Sequence, residues 1–236
     1  MNFTKQDIET IKEVLSAAKI IGIEGLVFSE GQARGARPSL DAAILTTAKL
    51  SVEDVAIGIG RTGELEKRLG IFGANVTIDL TVNGRGDASM LTLSAGKSKM
   101  QYRLTSPKLM RYPKSNEDEA FAHITLSKEE VQQISQASKS MGSENMTVHV
   151  SRVGVVKIEC SDATNDRFEV ELEAVAAFTD EAESTIQQYV AGLMAGVLDA
   201  AGKDGEVVMQ MGFAGSIAVQ VKNHTLLVLP QLTEEE

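Results

Sequence analysis

The sequence is poor in cysteine and in aromatic residues, and each shortage excludes a kind of protein. Cys160 is the only cysteine in 236 residues, so no intrachain disulfide can form and a reducing compartment is the simplest setting. Tryptophan is absent and only seven Phe and three Tyr are present, which disfavours the stacking surfaces of single-strand nucleic-acid binders. The cores must therefore be aliphatic, within a composition that is 43% hydrophobic.

Long apolar runs are also missing. No stretch approaches about 18 uninterrupted apolar residues, and the N-terminal segment has no basic stretch followed by an apolar one. We therefore expect neither a membrane span nor a signal peptide, and we place the protein in the cytoplasm.

The net charge of −10 is distributed unevenly along the chain. Up to Asn116 there are 16 basic and 12 acidic residues, whereas the remainder has 7 and 21. This imbalance predicts an acidic outer surface on which basic residues are placed locally. An ordinary solvated surface is the alternative.

The two halves of the chain open alike. Thr4-Lys5-Gln6-Asp7-Ile8 recurs 123 residues later as Ser127-Lys128-Glu129-Glu130-Val131, and both stretches begin an amphipathic helix. After each helix the apolar residues alternate with polar ones, as they do from Phe168 to Ala174, which is typical of half-exposed antiparallel strands. A second helix is predicted in each half, a short one near Gly63 to Leu69 and a longer one near Ile186 to Ala201.

This repetition predicts an α+β protein made of two copies of one domain, each with two helices packed on antiparallel sheets. The domains are predicted at residues 1–106 and 121–236. A connector at 107–120, with two prolines and an acidic cluster, joins them.

One motif suggests an enzyme. Gly58-Ile59-Gly60-Arg61-Thr62-Gly63 has the G-x-G-x-x-G spacing of a dinucleotide-binding turn and follows an apolar run. Gly70 and Gly73 are expected to interrupt the helix that such a turn needs, and the next segment alternates like an antiparallel strand. A nucleotide-dependent enzyme using Gly58, Gly60 and Gly63 therefore stays an alternative only.

The sequence shows no other pattern of metal-binding or catalytic residues. His123, His149 and His224 are far apart and have no neighbours at metal-ligand spacing, so we expect no metal. Cys160 lies in an alternating strand, where a core position is more usual than a nucleophile. We expect a non-enzymatic protein without a cofactor. A structural virion or assembly protein built of repeated β-rich domains is a further alternative.

Several segments together carry a family resemblance. Besides the two opening helices these are Val55-Ala56-Ile57-Gly58 leading into Gly70-Ile71-Phe72-Gly73, the stretch from Leu126 to Ile134, and the ending Leu226 to Leu232 followed by Thr233-Glu234-Glu235-Glu236. The chain resembles, over nearly its whole length, the DNA polymerase sliding clamps, in particular the processivity factors of T-even-like tailed bacteriophages.

The resemblance implies a head-to-tail homotrimer that forms a ring around double-stranded DNA and tethers the replicative DNA polymerase. An ATP-driven clamp loader would place it there, in the cytoplasm of the host cell. A ring that slides needs phosphate attraction without base readout, which long basic side chains on inward helices can supply. By their place on the helices, the residues implied to face DNA are Lys5, Lys12, Lys19, Arg61, Lys67, Arg68, Lys128, Lys139 and Lys203.

The resemblance also implies a site for partner proteins. In sliding clamps a short apolar peptide enters a pocket between the connector and the C-terminal strand. The corresponding residues here are Leu109, Met110, Tyr112, Leu229 and Pro230. A sheet that continues across subunits would cover the strand edge expected from Lys99 to Thr105.

Overall fold

The computed structural model of the chain describes residues 1–52, 55–113, 118–151, 154–176 and 185–231. Residues 114–117 of the predicted connector and residues 232–236 of the predicted ending lie outside these ranges. The chain divides into two compact units. The first comprises Met1–Pro38 and Ala43–Ser115, and the second comprises Ser39–Ala42 and Asn116–Glu236.

The first unit packs two helices against two antiparallel sheets, in the strand orders β4-β1-β2-β3 and β5-β6-β7. Helix α1 contacts α2 and β5, and α2 contacts β6. The elements are α1 (Lys5–Ile20), β1 (Leu26–Ser29), β2 (Gln32–Ala36), β3 (Ala42–Thr47), β4 (Ile57–Ile59), α2 (Thr62–Phe72), β5 (Thr77–Val82), β6 (Ala88–Ala95) and β7 (Ser98–Arg103).

The second unit repeats this plan with a larger antiparallel sheet, in the order β12-β9-β10-β11-β8-β13-β14-β15. Helix α3 contacts α4, β8, β10 and β11, and α4 contacts β9, β12, β14 and β15. The elements are β8 (Ala120–Leu126), α3 (Lys128–Met141), β9 (Asn145–Val150), β10 (Val155–Ser161), β11 (Arg167–Ala176), β12 (Thr185–Val190), α4 (Ala191–Ala201), β13 (Val207–Gly212), β14 (Ile217–Val221) and β15 (His224–Val228).

The repeat seen in the sequence is a repeat of helix caps. Thr4 caps α1 by accepting a hydrogen bond from the Asp7 N–H, while the Asp7 carboxylate accepts one from the Thr4 N–H. Ser127 and Glu130 form the same reciprocal pair at the start of α3. Each box satisfies backbone N–H groups that a helix start leaves without partners.

Each unit has an aliphatic core that contains one fully buried tyrosine. Tyr102 on β7 exchanges hydrogen bonds with the backbone of Arg61, and the Tyr189 hydroxyl on β12 donates to the Gly215 carbonyl at 2.6 Å. Burial raises the pKa of both phenols, so they stay neutral partners of the backbone.

Two secondary-structure expectations were wrong. Residues 185–190 form strand β12, and the helix expected from Ile186 begins only at Ala191. Pairing with β9 decides this, because Tyr189 lies opposite Met146 and both side chains are buried. Gly70 does not interrupt α2, which continues to Phe72 and ends at Gly73, where φ is +63°.

Each unit also has an exposed strand edge within its described part. In the first unit β7 is the last strand of its sheet. The two-residue loop Gly96-Lys97 makes Ala95 and Ser98 a hydrogen-bonded pair, so the backbone groups of Lys99, Gln101 and Arg103 point away from β6. Their side chains are exposed, and two of the three are basic.

The second unit has the opposite charge at its edge. The first part of β11, residues 167–173, pairs with β10 on one side only, and its last residues pair with β8. Glu169 and Glu171 are exposed along this edge. Lys157 on the neighbouring strand lies 3.0 Å from Glu169 and 3.4 Å from Glu171.

Candidate nucleic-acid interface and partner groove

The side of α1 opposite its buried residues has lysines at intervals of seven residues. Ile8, Ile11 and Leu15 are buried, which leaves Lys5 and Lys19 exposed and Lys12 half-buried. Lys12 lies 3.0 Å from Glu9, and Lys19 lies 3.1 Å from Glu66 of α2. Lys5 forms no ion pair with any described side chain.

Arg61, directly before α2, and Arg68, in the second turn of α2, form a connected cluster with Glu64. Both guanidinium groups reach the same carboxylate oxygen, since Oε2 of Glu64 lies 2.9 Å from Arg61 and 3.3 Å from Arg68. The two guanidinium carbons lie 5.5 Å and 5.3 Å from the ring centroid of Tyr102. Arg68 also donates to the Gln101 carbonyl at 3.1 Å.

Lys67 of α2 is exposed and has no ion pair among the described residues. Its position lies between those of Glu66 and Arg68, which each have a partner of opposite charge. Lys67 therefore adds an unpaired positive charge to this helix.

The second unit has fewer basic residues on its helices. Lys128 and Lys139 on α3 are exposed, as is Lys203 in the short 3-10 helix after α4. Lys139 forms an ion pair with Asp199 of α4. Burial alone would raise the pKa of Asp199, but the hydrogen bond from Lys139 and the charges of Lys139 and Lys203 hold that pKa below its usual range.

The carboxylates that accompany these cations were not among the residues predicted from the sequence. Glu9 precedes Lys12 by three residues, and Glu64 follows Arg61 by three and precedes Arg68 by four. These spacings place such pairs on one helix face and could have revealed them. The pairs Lys19–Glu66 and Lys139–Asp199 join different helices, so no local spacing signals them.

The glycine motif has a packing role. It runs from Gly58 in β4 to Gly63 in α2, and β4 pairs antiparallel with β1, unlike the parallel strand of a dinucleotide fold. A Cβ at Gly58 would lie 2.1 Å from the Thr105 carbonyl oxygen, and one at Gly60 would lie 2.2 Å from the Thr105 hydroxyl. Gly58 and Gly60 are therefore explained by the close approach of Thr105.

A groove on the first unit, with a volume of about 380 Å³, is lined by part of the predicted connector. Leu109 is 81% exposed at its rim, whereas Met110 is half-buried and packs against Gly25 and Gly58. The Tyr112 ring lies 5.3 Å from the Arg34 guanidinium carbon. The groove residues are Gly25, Ala36, Pro38, Gly60, Thr105, Leu109, Met110 and Arg111.

The other two residues predicted for the partner pocket belong to the second unit. Leu229 and Pro230 directly follow β15 and are half-buried. The Leu229 N–H donates to the Asp41 carbonyl at 2.8 Å, and Asp41 is part of the short segment Ser39–Ala42 assigned to this unit.

Within the described ranges no group of three or more His, Cys, Asp or Glu side chains could hold a metal ion. No helix in those ranges is long and apolar enough to span a bilayer. Cys160 is buried, and burial together with the charge of Glu159 raises the pKa of its thiol to about 11, which keeps it a poor nucleophile.

The fold described above is that of the sliding clamps. Proliferating cellular nuclear antigen from Entamoeba histolytica matches with a TM-score of 0.66 at 15% identity, over 98% of each chain. Proliferating cellular nuclear antigen from A. fulgidus, bound to the C-terminal region of FEN-1, matches with a TM-score of 0.66 at 16% identity, over 100% of each chain.

A third solved structure has the same fold. It is assigned as a DNA polymerase III beta subunit from Eubacterium rectale and matches with a TM-score of 0.69 at 14% identity, over 100% of this chain and 66% of that one. No protein-family model and no curated protein matches the sequence. The predicted α+β class, with two helices on antiparallel sheets in each half, is confirmed.

Proposed function

We propose that the chain is a non-enzymatic sliding clamp of the T-even-like phage type, which encircles duplex DNA and tethers the replicative DNA polymerase. The observation that carries this proposal is the match to clamp structures over the whole chain, both units included. The cations on the exposed sides of α1 and α2 supply the attraction to phosphate that such a role needs. The proposed domains are residues 1–106 and 121–236, with residues 107–120 as connector.

The proposed ring is a homotrimer closed through the two exposed strand edges. The edge of β7 has Lys99 and Arg103, and the edge of β11 has Glu169 and Glu171, so the two are complementary in charge. Pairing the first edge of one copy with the second edge of the next is a heterologous contact, which closes into a ring when the rotation allows. It would also satisfy backbone groups that each edge leaves exposed.

The groove beside Leu109 is the proposed docking site for partner peptides on the first unit. The groove is concave, and Leu109 and Met110 present apolar side chains at it, as a site for an apolar peptide requires. Tyr112, Leu229 and Pro230 remain predicted members of the same site. The replicative polymerase and an ATP-driven loader are the partners proposed for it, in the cytoplasm of the host cell.

Two measurements on one set of variants test the proposal. Light scattering over a dilution series should give a native mass near three times the chain mass of 25.3 kDa. The second measurement is binding at low salt to a fluorescent DNA duplex of about 60 base pairs. This binding should weaken about ten-fold or more when Lys5, Lys12 and Lys19 are all changed to Ala, because each lost phosphate contact reduces counterion release.

The matched control changes Lys49, Lys108 and Lys222 to Ala. These three lysines are exposed and lie outside α1 and α2, so the same charge is removed elsewhere on the surface. Both triple variants should keep the mass of the unchanged protein. Equal DNA binding by the two variants would contradict the assignment of α1 to DNA, and a strict monomer at high concentration would contradict the ring.

A further inference from the structure

The cluster of Arg61, Glu64 and Arg68 has the geometry of an occupied anion site. One carboxylate oxygen of Glu64 lies within 2.9 Å of one guanidinium and 3.3 Å of the other. A phosphate oxygen placed there would meet the same two donors, since guanidinium groups bind carboxylate and phosphate with similar geometry. Glu64 therefore holds the position that a phosphate oxygen of DNA would take.

The two arginines do not depend on Glu64 alone for their position. Arg68 also donates to the Gln101 carbonyl, and both guanidinium groups lie against the buried Tyr102 ring. Removing the carboxylate should therefore leave a positioned pair of cations. Such a pair binds phosphate without first paying the cost of ordering its side chains.

The carboxylate is also easy to displace. The side chains of Arg61 and Glu64 are 52% and 46% exposed, and ion pairs that are open to water are weak. A phosphate can thus replace Glu64, and Glu64 can return when the phosphate moves on. This exchange suits a contact that must be broken repeatedly during sliding.

We propose that Glu64 is an internal counterion that competes with the DNA phosphates for Arg61 and Arg68 and so keeps the contact of α2 with DNA weak. The inference rests on the proposed function. It adds a residue that acts through the two arginines and tunes the affinity for DNA.

The test compares E64Q with E13Q. Glu13 is exposed on α1 and forms no ion pair with any described side chain, so the two variants remove the same charge and only E64Q releases arginines. We expect E64Q to bind the duplex of about 60 base pairs roughly three-fold tighter or more, since an exposed ion pair shifts an equilibrium by a factor of about 1.5 to 5. The slope of log affinity against log salt should steepen by about one to two.

A second background makes the result specific. In the R61Q/R68Q protein E64Q should have no effect beyond that of E13Q, because the arginines for which Glu64 competes are gone. Equal effects of E64Q and E13Q in the unchanged background would overturn the proposal, as would an effect of E64Q that still exceeds that of E13Q without the two arginines. Thermal stabilisation of E64Q by inorganic phosphate without tighter DNA binding would overturn it as well, since the site would then bind free anions only.

The lysine variants of α1 separate this inference from the proposed function. If they lose DNA binding while E64Q behaves like E13Q, only the role of Glu64 fails. If neither the lysine variants nor E64Q changes DNA binding, both the role of Glu64 and the assignment of the helices to DNA fail.

Discussion

The helix pairs of the two units have the same architecture and different charge. In both units the first helix begins with a reciprocal cap, and an ion pair joins it to the second helix: Lys19 to Glu66 in the first unit, Lys139 to Asp199 in the second. The first unit contributes six of the nine basic residues predicted to face DNA, and the second contributes three. The two helix pairs therefore share their caps and their interhelix ion pair, and they differ in the number of basic residues placed on them.

A second difference concerns the carboxylates of the two caps. Asp7 is 4% exposed and accepts four hydrogen bonds, two from Thr4 and two from Ser51. Glu130 accepts two, both from Ser127. The first cap thus joins α1 to the loop after β3, whereas the second is local.

The largest effect should come from the caps. We expect D7N to lower the free energy of unfolding by about 2–3 kcal/mol, because in either orientation the new amide places its NH2 group against a backbone N–H, of Thr4 or of Ser51. E130Q should cost about 1 kcal/mol, the usual value of a local cap. Urea denaturation at one protein concentration measures both.

The control for this pair is E13Q, which removes an exposed carboxylate from α1 and should change stability by less than about 0.5 kcal/mol. Equal costs of D7N and E130Q would show that the bonds to Ser51 add nothing. The distinction between a local and a connected cap would then be wrong.

A smaller effect should appear with pH. Burial alone would raise the pKa of Asp7, but the hydrogen bonds from Ser51 and Thr4 outweigh it and hold that pKa below its usual value. Because the folded pKa is depressed, the stabilisation is fully present above the unfolded pKa of about 3.9 and is lost as pH falls through the folded pKa.

The stability gap between the unchanged protein and D7N should therefore narrow as pH is lowered from about 5 to below 3. Urea midpoints of both proteins at three pH values in that interval measure it. A gap that stays constant over the interval would show that the charge of Asp7 does not carry the stabilisation.

The smallest effect should come from the two interhelix ion pairs. The lysines are 72% and 63% exposed, so K19M and K139M should each cost less than about 1 kcal/mol. The cost should diminish further at about 1 M salt, where screening is nearly complete. A cost above about 2 kcal/mol for either variant would mean that this pair is a structural link rather than a surface contact.

Much of the fold was predictable because its signals are local. The matching caps at Thr4 and Ser127 and the alternation from Phe168 depend on residues within a few positions of each other. The helix expected from Ile186 was wrong because six residues of it pair with β9, and that partner lies about 40 residues away in the sequence.

Of the candidate site, only the basic residues were predicted from the sequence. Regular spacing of Lys5, Lys12 and Lys19 predicts one exposed helix face, but spacing does not show which charges are neutralised by a neighbouring element. The carboxylates of Glu66 and Asp199 became partners only when two helices packed together. The same holds for Thr105, whose approach explains Gly58 and Gly60 better than a nucleotide does.

The duplication, the helix caps and the aliphatic character of the cores follow from the sequence, because each depends on composition or on contacts within one turn. Packing of distant segments was needed to place the Tyr102 ring beside Arg61 and Arg68, and to expose a basic edge at β7 and an acidic edge at β11. These arrangements join residues that are distant in the sequence, so they exist only after the chain has packed.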